Sequence, residues 1–448
     1  MASHRKRARS SAVAVAGATA GMTAVLAFGH VADALAATLP GGNAVVGIGG
    51  KDDTKGERIP NKFGGDYVPY GGGYAGPADG RYYPVHYSAT LPIDTSVADG
   101  RAPLMAKVTE ARTAVGPDGT IYIVGYSEGS LVAENYKREL NAGTVPSPGG
   151  NIEFVYIAAP TVPNGGIYAR FPDLGPLGLL GFTSTGAAAP TQYSQTFITI
   201  EYDPVGDFPA YANPLSLANA AAGFVYLHGD PTPDGTDLNN TDGLLIKTVP
   251  KDNGATDTYI LVKTEHLPLL QPFRDVSTAL NATAFTEPVL GAIEPTLKLG
   301  VDMGYTDRNY QNADKPTRFS LITPPERIAE TIKQLPDAFQ EGADNFRNGL
   351  PSTASPSMTS GPTNRNAAKT DLPKILEPKA VGPKLETTDA ADAPKKPVKR
   401  TPAHQRDDIR NSVSDLAKNV RNSFKPKPKP EAKPKTESST EADAGKAA

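Results

Sequence analysis

Gly125-Tyr126-Ser127-Glu128-Gly129 stands between a β-branched run, Thr120-Ile121-Tyr122-Ile123-Val124, and a stretch of helical periodicity over residues 131–140. A strand, then G-x-S-x-G, then a helix is the pattern of a nucleophile elbow, where the chain turns so sharply that the Ser is held at strained backbone angles. Gly at 125 and 129 removes the Cβ atoms that would collide across such a turn. The turn carries Ser127 Oγ to the end of a sheet and the start of a helix. Backbone N–H groups there, chiefly that of Glu128, can stabilise a developing oxyanion. The motif alone says little in a Gly-rich chain, but between a buried strand and an amphipathic helix it points to a nucleophilic Ser127.

A Ser hydroxyl needs a base, and the base needs an orienting acid. In hydrolases built on such an elbow the chain order is Ser, then Asp or Glu, then His. Between Ser127 and residue 350 only His228 and His266 are available. His266 follows an apolar strand at 258–262, the generic place of a hydrolase histidine. His228 follows a helical run at 215–226 and opens the loop His228-Gly229-Asp230. For the acid, the strand at 196–200 runs into Glu201-Tyr202-Asp203-Pro204-Val205-Gly206-Asp207. Asp203 sits where the strand leaves the sheet and Asp207 lies further along in the loop; one of the two is expected to cap the loop. On residue chemistry alone both choices stay open.

The elements that must position these groups alternate. Strands are expected at 43–48, 120–124, 152–157, 196–200 and 259–262, with helices at 131–140 and 215–226 and a helix or helix pair over 325–350. Strands separated by helices imply an α/β fold with a mostly parallel sheet covered on both faces, and active sites in such sheets lie at the carboxyl ends of the strands. An insertion at 161–186 is apolar yet broken by Gly and Pro; it reads equally as a flap beside the site or as a loop packed on the core. The Tyr- and Gly-rich stretch 67–83 is a candidate lining of the same cleft. His86, out of chain order for the triad, reads as a packed core histidine. Asp52-Asp53, Asp234, Asp237 and Asp242 lie in polar loops that lack the form of a calcium loop.

Composition bounds the rest. In 448 residues there are 44 Gly and 42 Pro, above the usual combined share of about 12%, which suggests one folded domain with long loops plus a segment that does not fold. The absence of Cys excludes a disulfide scaffold, a thiolate zinc site and a cysteine nucleophile. A formal net charge of -3 gives no support to nucleic-acid binding. No phosphate loop and no dinucleotide fingerprint is present, so no cofactor and no metal are expected. Residues 4–9 are basic, 11–31 are apolar and uncharged, and Ala34-Leu35-Ala36 supplies a cleavage site; residues 1–36 read as an export signal removed near Ala36, and no later segment is apolar enough to span a membrane. From 351 to 448 the chain is rich in Pro, Lys, Ser and Thr, with Lys425-Pro426-Lys427-Pro428-Lys429-Pro430 favouring extended conformations. This tail reads as disordered, either a solvated spacer or a contact to an anionic cell wall, and residues 38–350 as the folded domain.

At several places, in order, the sequence is similar to the PE-PPE domain, a serine α/β-hydrolase family of mycolate-bearing actinobacteria related to cutinases. They are Gly125-Tyr126-Ser127-Glu128-Gly129, Pro163-Asn164-Gly165-Gly166 with Arg170-Phe171-Pro172, Tyr202-Asp203-Pro204-Val205-Gly206-Asp207-Phe208-Pro209, and Leu267-Pro268-Leu269-Leu270. The resemblance spans about residues 43–324. It implies an α/β-hydrolase fold and an exported esterase or acyltransferase acting on acyl esters, lipid or glycolipid. Asp203-Pro204-Val205-Gly206 looks like the turn in which cutinases carry their catalytic Asp, with Gly206 in place of a Cys, so the bracing disulfide is missing here. Tyr226-Leu227-His228-Gly229 looks like the family's Tyr-x-His-Gly. The resemblance therefore implies a triad of Ser127, Asp203 and His228, with Asp207 and His266 as alternates. The oxyanion hole would combine the Glu128 N–H with a donor near Gly50-Lys51, in the loop after the first strand. The competing reading is a hydrolase fold that has lost catalysis and serves as an envelope-binding module.

Overall fold

A computed structural model describes residues 39, 42–77, 80–177, 180–229 and 235–350. The expected export signal and Pro/Lys-rich tail lie outside these residues. In chain order the elements are β1 (Ala44–Ile48), the hairpin β2 (Val68–Tyr70) and β3 (Gly73–Ala75), β4 (Tyr82–Val85), α1 (Ile93–Asp99), α2 (Arg101–Val115), β5 (Thr120–Tyr126) and α3 (Glu128–Ala142). There follow β6 (Asn151–Ile157), a single turn α4 (Ile167–Arg170), β7 (Ser194–Ile200), α5 (Pro214–Tyr226), β8 (Leu244–Pro250), β9 (Thr256–Val262), α6 (Gln271–Ala279), α7 (Thr283–Asp302) and α8 (Pro325–Gly349). This is an α/β-hydrolase architecture.

Seven strands form one sheet in the order β4-β1-β5-β6-β7-β9-β8. All neighbours run parallel except β8, which is antiparallel to β9. Alternate residues of β5 feed two cores. Ile121 and Ile123 join Leu104, Val108, Leu131 and Tyr136 of α2 and α3. Tyr122 and Val124 join Ile59, Phe63, Tyr67 and Val68 on the opposite face. Burial on both faces explains why this strand is a continuous apolar run, and each Ile or Val so buried contributes about 1.5–3 kcal/mol.

A third cluster lies beyond the sheet: Tyr202, Leu267, Leu270, Leu290, Val301 and Tyr305 are packed together. It binds the layer of α5, α6 and α7, and α8 closes that layer by packing along α7. The expected C-terminal helix is thus present as one element. Among the described residues no helix is long and apolar enough to cross a membrane.

From β1 the chain turns to β4 on one side and then to β5 on the other. Such a reversal opens a crevice at the carboxyl ends of the two inner strands. Ile48 pairs with Gly125 across it, so the loop after β1 and the turn after β5 meet at the same place. One sequence expectation is corrected nearby. His86 is exposed rather than packed in the core, because it follows β4, the edge strand. Tyr67, at the start of the 67–83 stretch, is fully buried in the second core.

Candidate active site

Ser127 caps α3 with φ 50 and ψ -115, a strained conformation for a residue with a Cβ. The turn is tied down by the Ser127 N–H donating to Ile157 O at 2.9 Å and the Ser130 N–H donating to Ser127 O at 3.0 Å. The flanking glycines are required by space. A Cβ on Gly125 would lie 2.6 Å from Gly129 O, and one on Gly129 would lie 2.3 Å from Ile48 O.

Ser127 Oγ lies 2.9 Å from His228 Nε2, and His228 Nδ1 lies 3.0 Å from Asp203 Oδ2. Asp203 comes from the turn that ends β7, and its other oxygen accepts from the Val205 N–H at 3.0 Å. His228 comes from the end of α5, with its own N–H donating to Gly223 O. The Asp203 side chain is buried and that of His228 is 14% exposed. Three chain segments separated by up to about a hundred residues are therefore joined in one hydrogen-bonded line.

Asp207 does other work. Its carboxylate accepts from the Tyr202 N–H at 2.8 Å and pairs with Arg308 at 3.1 Å. Arg308 also reaches Glu201 at 2.8 Å, and its guanidinium lies over the ring of Tyr305 at 4.3 Å. Burial opposes ionisation of Glu201, but Arg308, Lys298 and the Thr264 N–H more than compensate and hold its pKa below the usual carboxylate value. His266 is turned toward α7: its Nδ1 lies 3.1 Å from Glu294 Oε2, and that oxygen also receives Arg274 Nη2 at 2.8 Å.

The loop after β1 sits against the elbow: a Cβ on Gly50 would come within 3.2 Å of Ser127 Cβ. Lys51 follows it, with its ammonium at the surface on Asp52 at 2.6 Å. Asp53 is buried and caps the Glu57 and Arg58 N–H groups, which accounts for one of the loop acids. Glu128 is buried directly behind the nucleophile.

Two aromatic rings beside His228 were not singled out from the sequence. Tyr126 lies 5.9 Å away at 19° and Phe224 5.5 Å away at 12°, centroid to centroid. Phe224 is four residues before His228 on the run-out of α5, so helical spacing would have found it. Tyr126 is the variable residue inside the elbow itself. A buried Lys62 places its Nζ 4.1 Å from the Tyr126 ring centroid; nothing in its sequence context announces that. Within the 161–186 insertion, residues 161–166 and 168–170 are buried while Asp173 and residues 175–177 are exposed. Phe182 stacks on Tyr168 at 5.6 Å, and Asp94 at the start of α1 accepts from the Thr183 N–H at 2.9 Å and from its hydroxyl at 2.7 Å.

The profile of the PE-PPE domain matches residues 75–306, slightly more than half of the chain. Relatives come from Mycobacterium tuberculosis. Esterase PE16 is 36% identical over 267 residues, covering 57% of this chain and 46% of PE16. The uncharacterized PPE family protein PPE28 is 35% identical over 241 residues, covering 52% and 34%. The diacyltrehalose acyltransferase Chp2 is 33% identical over 195 residues, covering 37% and 53%. The chain spans about half or less of the length of these relatives.

Proposed function

The chain belongs to the PE-PPE domain family, and we propose that it is a serine esterase or acyltransferase that works through Ser127, His228 and Asp203. The observation that carries this reading is the line from Ser127 Oγ to His228 Nε2 and from His228 Nδ1 to Asp203, at 2.9 and 3.0 Å. The names of two relatives, an esterase and an acyltransferase, support ester chemistry.

In this mechanism His228 Nε2 takes the proton from Ser127 as Oγ attacks the ester carbonyl, and Asp203 holds the imidazole with Nδ1 protonated. The tetrahedral oxyanion sits at the start of α3, where the Glu128 N–H and a donor from the Gly50-Lys51 loop meet it; each such donor is worth about 100- to 1000-fold in turnover. His228 returns the proton to the leaving alcohol. The acyl group remains on Ser127 until water or an acceptor hydroxyl, deprotonated in turn by His228, removes it. Leu217, Ala221 and Phe224 form an exposed stripe on α5 that ends beside His228. An apolar lane of this kind suits the acyl chain of a lipid or glycolipid ester. An export signal at 1–36, the domain at 38–350 and a Pro/Lys-rich tail at 351–448 complete the proposal for an envelope protein.

The test is intact mass after treatment with a fluorophosphonate, on the chain from residue 38 to 448 and on Ser127→Ala, His228→Ala and His266→Ala. One adduct that requires Ser127 and His228 but not His266 is expected. A folded sample that takes no adduct would overturn the enzyme reading.

A further inference from the structure

Glu128 supplies the proposed oxyanion amide, yet nothing in the mechanism uses its side chain. That side chain begins α3 and is 4% exposed. Neither carboxyl oxygen has a hydrogen-bond partner of ordinary geometry. Buried acceptors left this way are uncommon and need a physical reason.

The groups facing it come from four directions. Ser96 of α1 is close enough to favour the ionised form, and Lys51 favours it as well, while Asp52 opposes it. Tyr87, which follows β4 and donates to Gly49 O at 2.6 Å, and Tyr168 of α4 both feel its charge. Lys51 is the one cation among these neighbours, and its ammonium is already engaged at the surface by Asp52. A carboxylate at the first position of a helix is normally welcome. Here burial outweighs that and pushes the carboxyl up to about 7.

We propose that the Glu128 side chain is a positioning residue of this site: its neutral carboxyl leaves the Glu128 amide free to bind the oxyanion, and its ionisation weakens that binding. The inference rests on the serine-ester reading above. The reasoning is electrostatic. The transition state places negative charge at the Glu128 N–H, and a second negative charge buried on the same residue opposes it far more than it would in water. Below the carboxyl's titration the opposition is absent; above it, acylation of Ser127 slows.

The experiment is a profile of kcat/KM for a short acyl ester from about pH 6 to about pH 9, on the full chain and on Glu128→Gln. The amide keeps the shape and stays neutral throughout. The parent should show a falling limb above neutral pH that Glu128→Gln lacks. The ratio of rates at the high and low ends should then rise on the order of tenfold in the variant. Parallel profiles would overturn the inference, since a purely structural role shifts the whole curve without changing its shape. A second readout does not depend on turnover. Infrared difference spectra of carbon-13 glutamate protein should show a protonated carboxyl band that disappears near neutral pH in the parent and is missing from Glu128→Gln. Two identical series of spectra would also overturn it. Failure of Ser127 to label in either protein would instead count against the ester reading, and the spectra would still report the state of Glu128.

Discussion

Two histidines in this chain present Nδ1 to a carboxylate at nearly the same distance, 3.0 Å for His228 on Asp203 and 3.1 Å for His266 on Glu294. As pairs they are alike, and what surrounds them is not. His228 has Ser127 Oγ on its other nitrogen and a side chain 14% exposed. His266 has Glu265 on that side, at 3.9 Å, and is 41% exposed. Both acids accept a backbone N–H on their second oxygen, Asp203 from Val205 and Glu294 from Leu267, but Glu294 is also shared with Arg274. An acid and a histidine make a dyad by proximity; the hydroxyl on the far nitrogen and the exclusion of water distinguish the first pair from the second.

The sharpest break of that comparison is at the nucleophile. Ser127→Ala removes the group that only one dyad possesses, and turnover should fall by about 10⁶-fold with covalent labelling abolished. Next comes the acid. Asp203→Asn keeps the shape of the turn but lets the imidazole take the wrong tautomer, which should cost about 10⁴-fold in kcat. Steady-state ester turnover of both variants measures these losses, and an Asp203→Asn enzyme within tenfold of the parent would mean that the buried dyad is no more catalytic than the exposed one.

The sequence made the buried dyad legible because its parts stand at element ends. The elbow reads from Gly125 and Gly129, and Asp203 from its place after an apolar strand. The choice between His228 and His266 was not legible from strand order, which favoured the latter; it turned on the likeness of Tyr226-Leu227-His228-Gly229 to a family motif. The geometry that joins His228 to Ser127 comes from α5 lying over the carboxyl ends of the sheet, a long-range packing that no local pattern encodes. Parts of the fold were hidden for related reasons. β4 contains Pro84 and β8 ends in Pro250, tolerable because both strands are at edges; after Leu244, β8 alternates half-buried and exposed residues, while the inner strands β5, β6, β7 and β9 each end in a run of buried residues. α7 carries Pro288 and Pro295 within its length, which disguises a helix. The β2–β3 hairpin is held by strands of three residues each, too short to show a period.

The two aspartates of one loop allow a finer test. Asp207 is as buried as Asp203, but it faces Arg308 and the Tyr202 N–H. Asp207→Asn weakens a charged hydrogen-bond network that holds the strained turn at Tyr202, where φ is 67. It should lower unfolding free energy by about 2 kcal/mol, read from urea midpoints, while the folded fraction keeps its kcat. Asp203→Asn should do the converse. A large loss of kcat in folded Asp207→Asn would assign the acid to the wrong residue.

The smallest effect belongs to His266, and its sign is fixed. The hydrogen bond to Glu294 is the main reason that the His266 pKa is raised above its ordinary value of 6.5, with burial and Arg274 acting against it. A histidine whose folded pKa is raised adds stability below its unfolded pKa, and that contribution disappears as pH rises through the folded value. His266 is well exposed, so the contribution is small, below about 1 kcal/mol. Melting curves of the parent and His266→Ala should therefore differ most at about pH 5.5 and converge by about pH 9, with ester turnover equal at every pH. Convergence at the acid end instead would mean that the imidazole is held neutral in the fold, and a turnover loss would restore His266 as a rival base. Between these outcomes lies the distinction that the two dyads teach: His228 has a hydroxyl on its far nitrogen, whereas His266 ties its loop to Glu294 of α7.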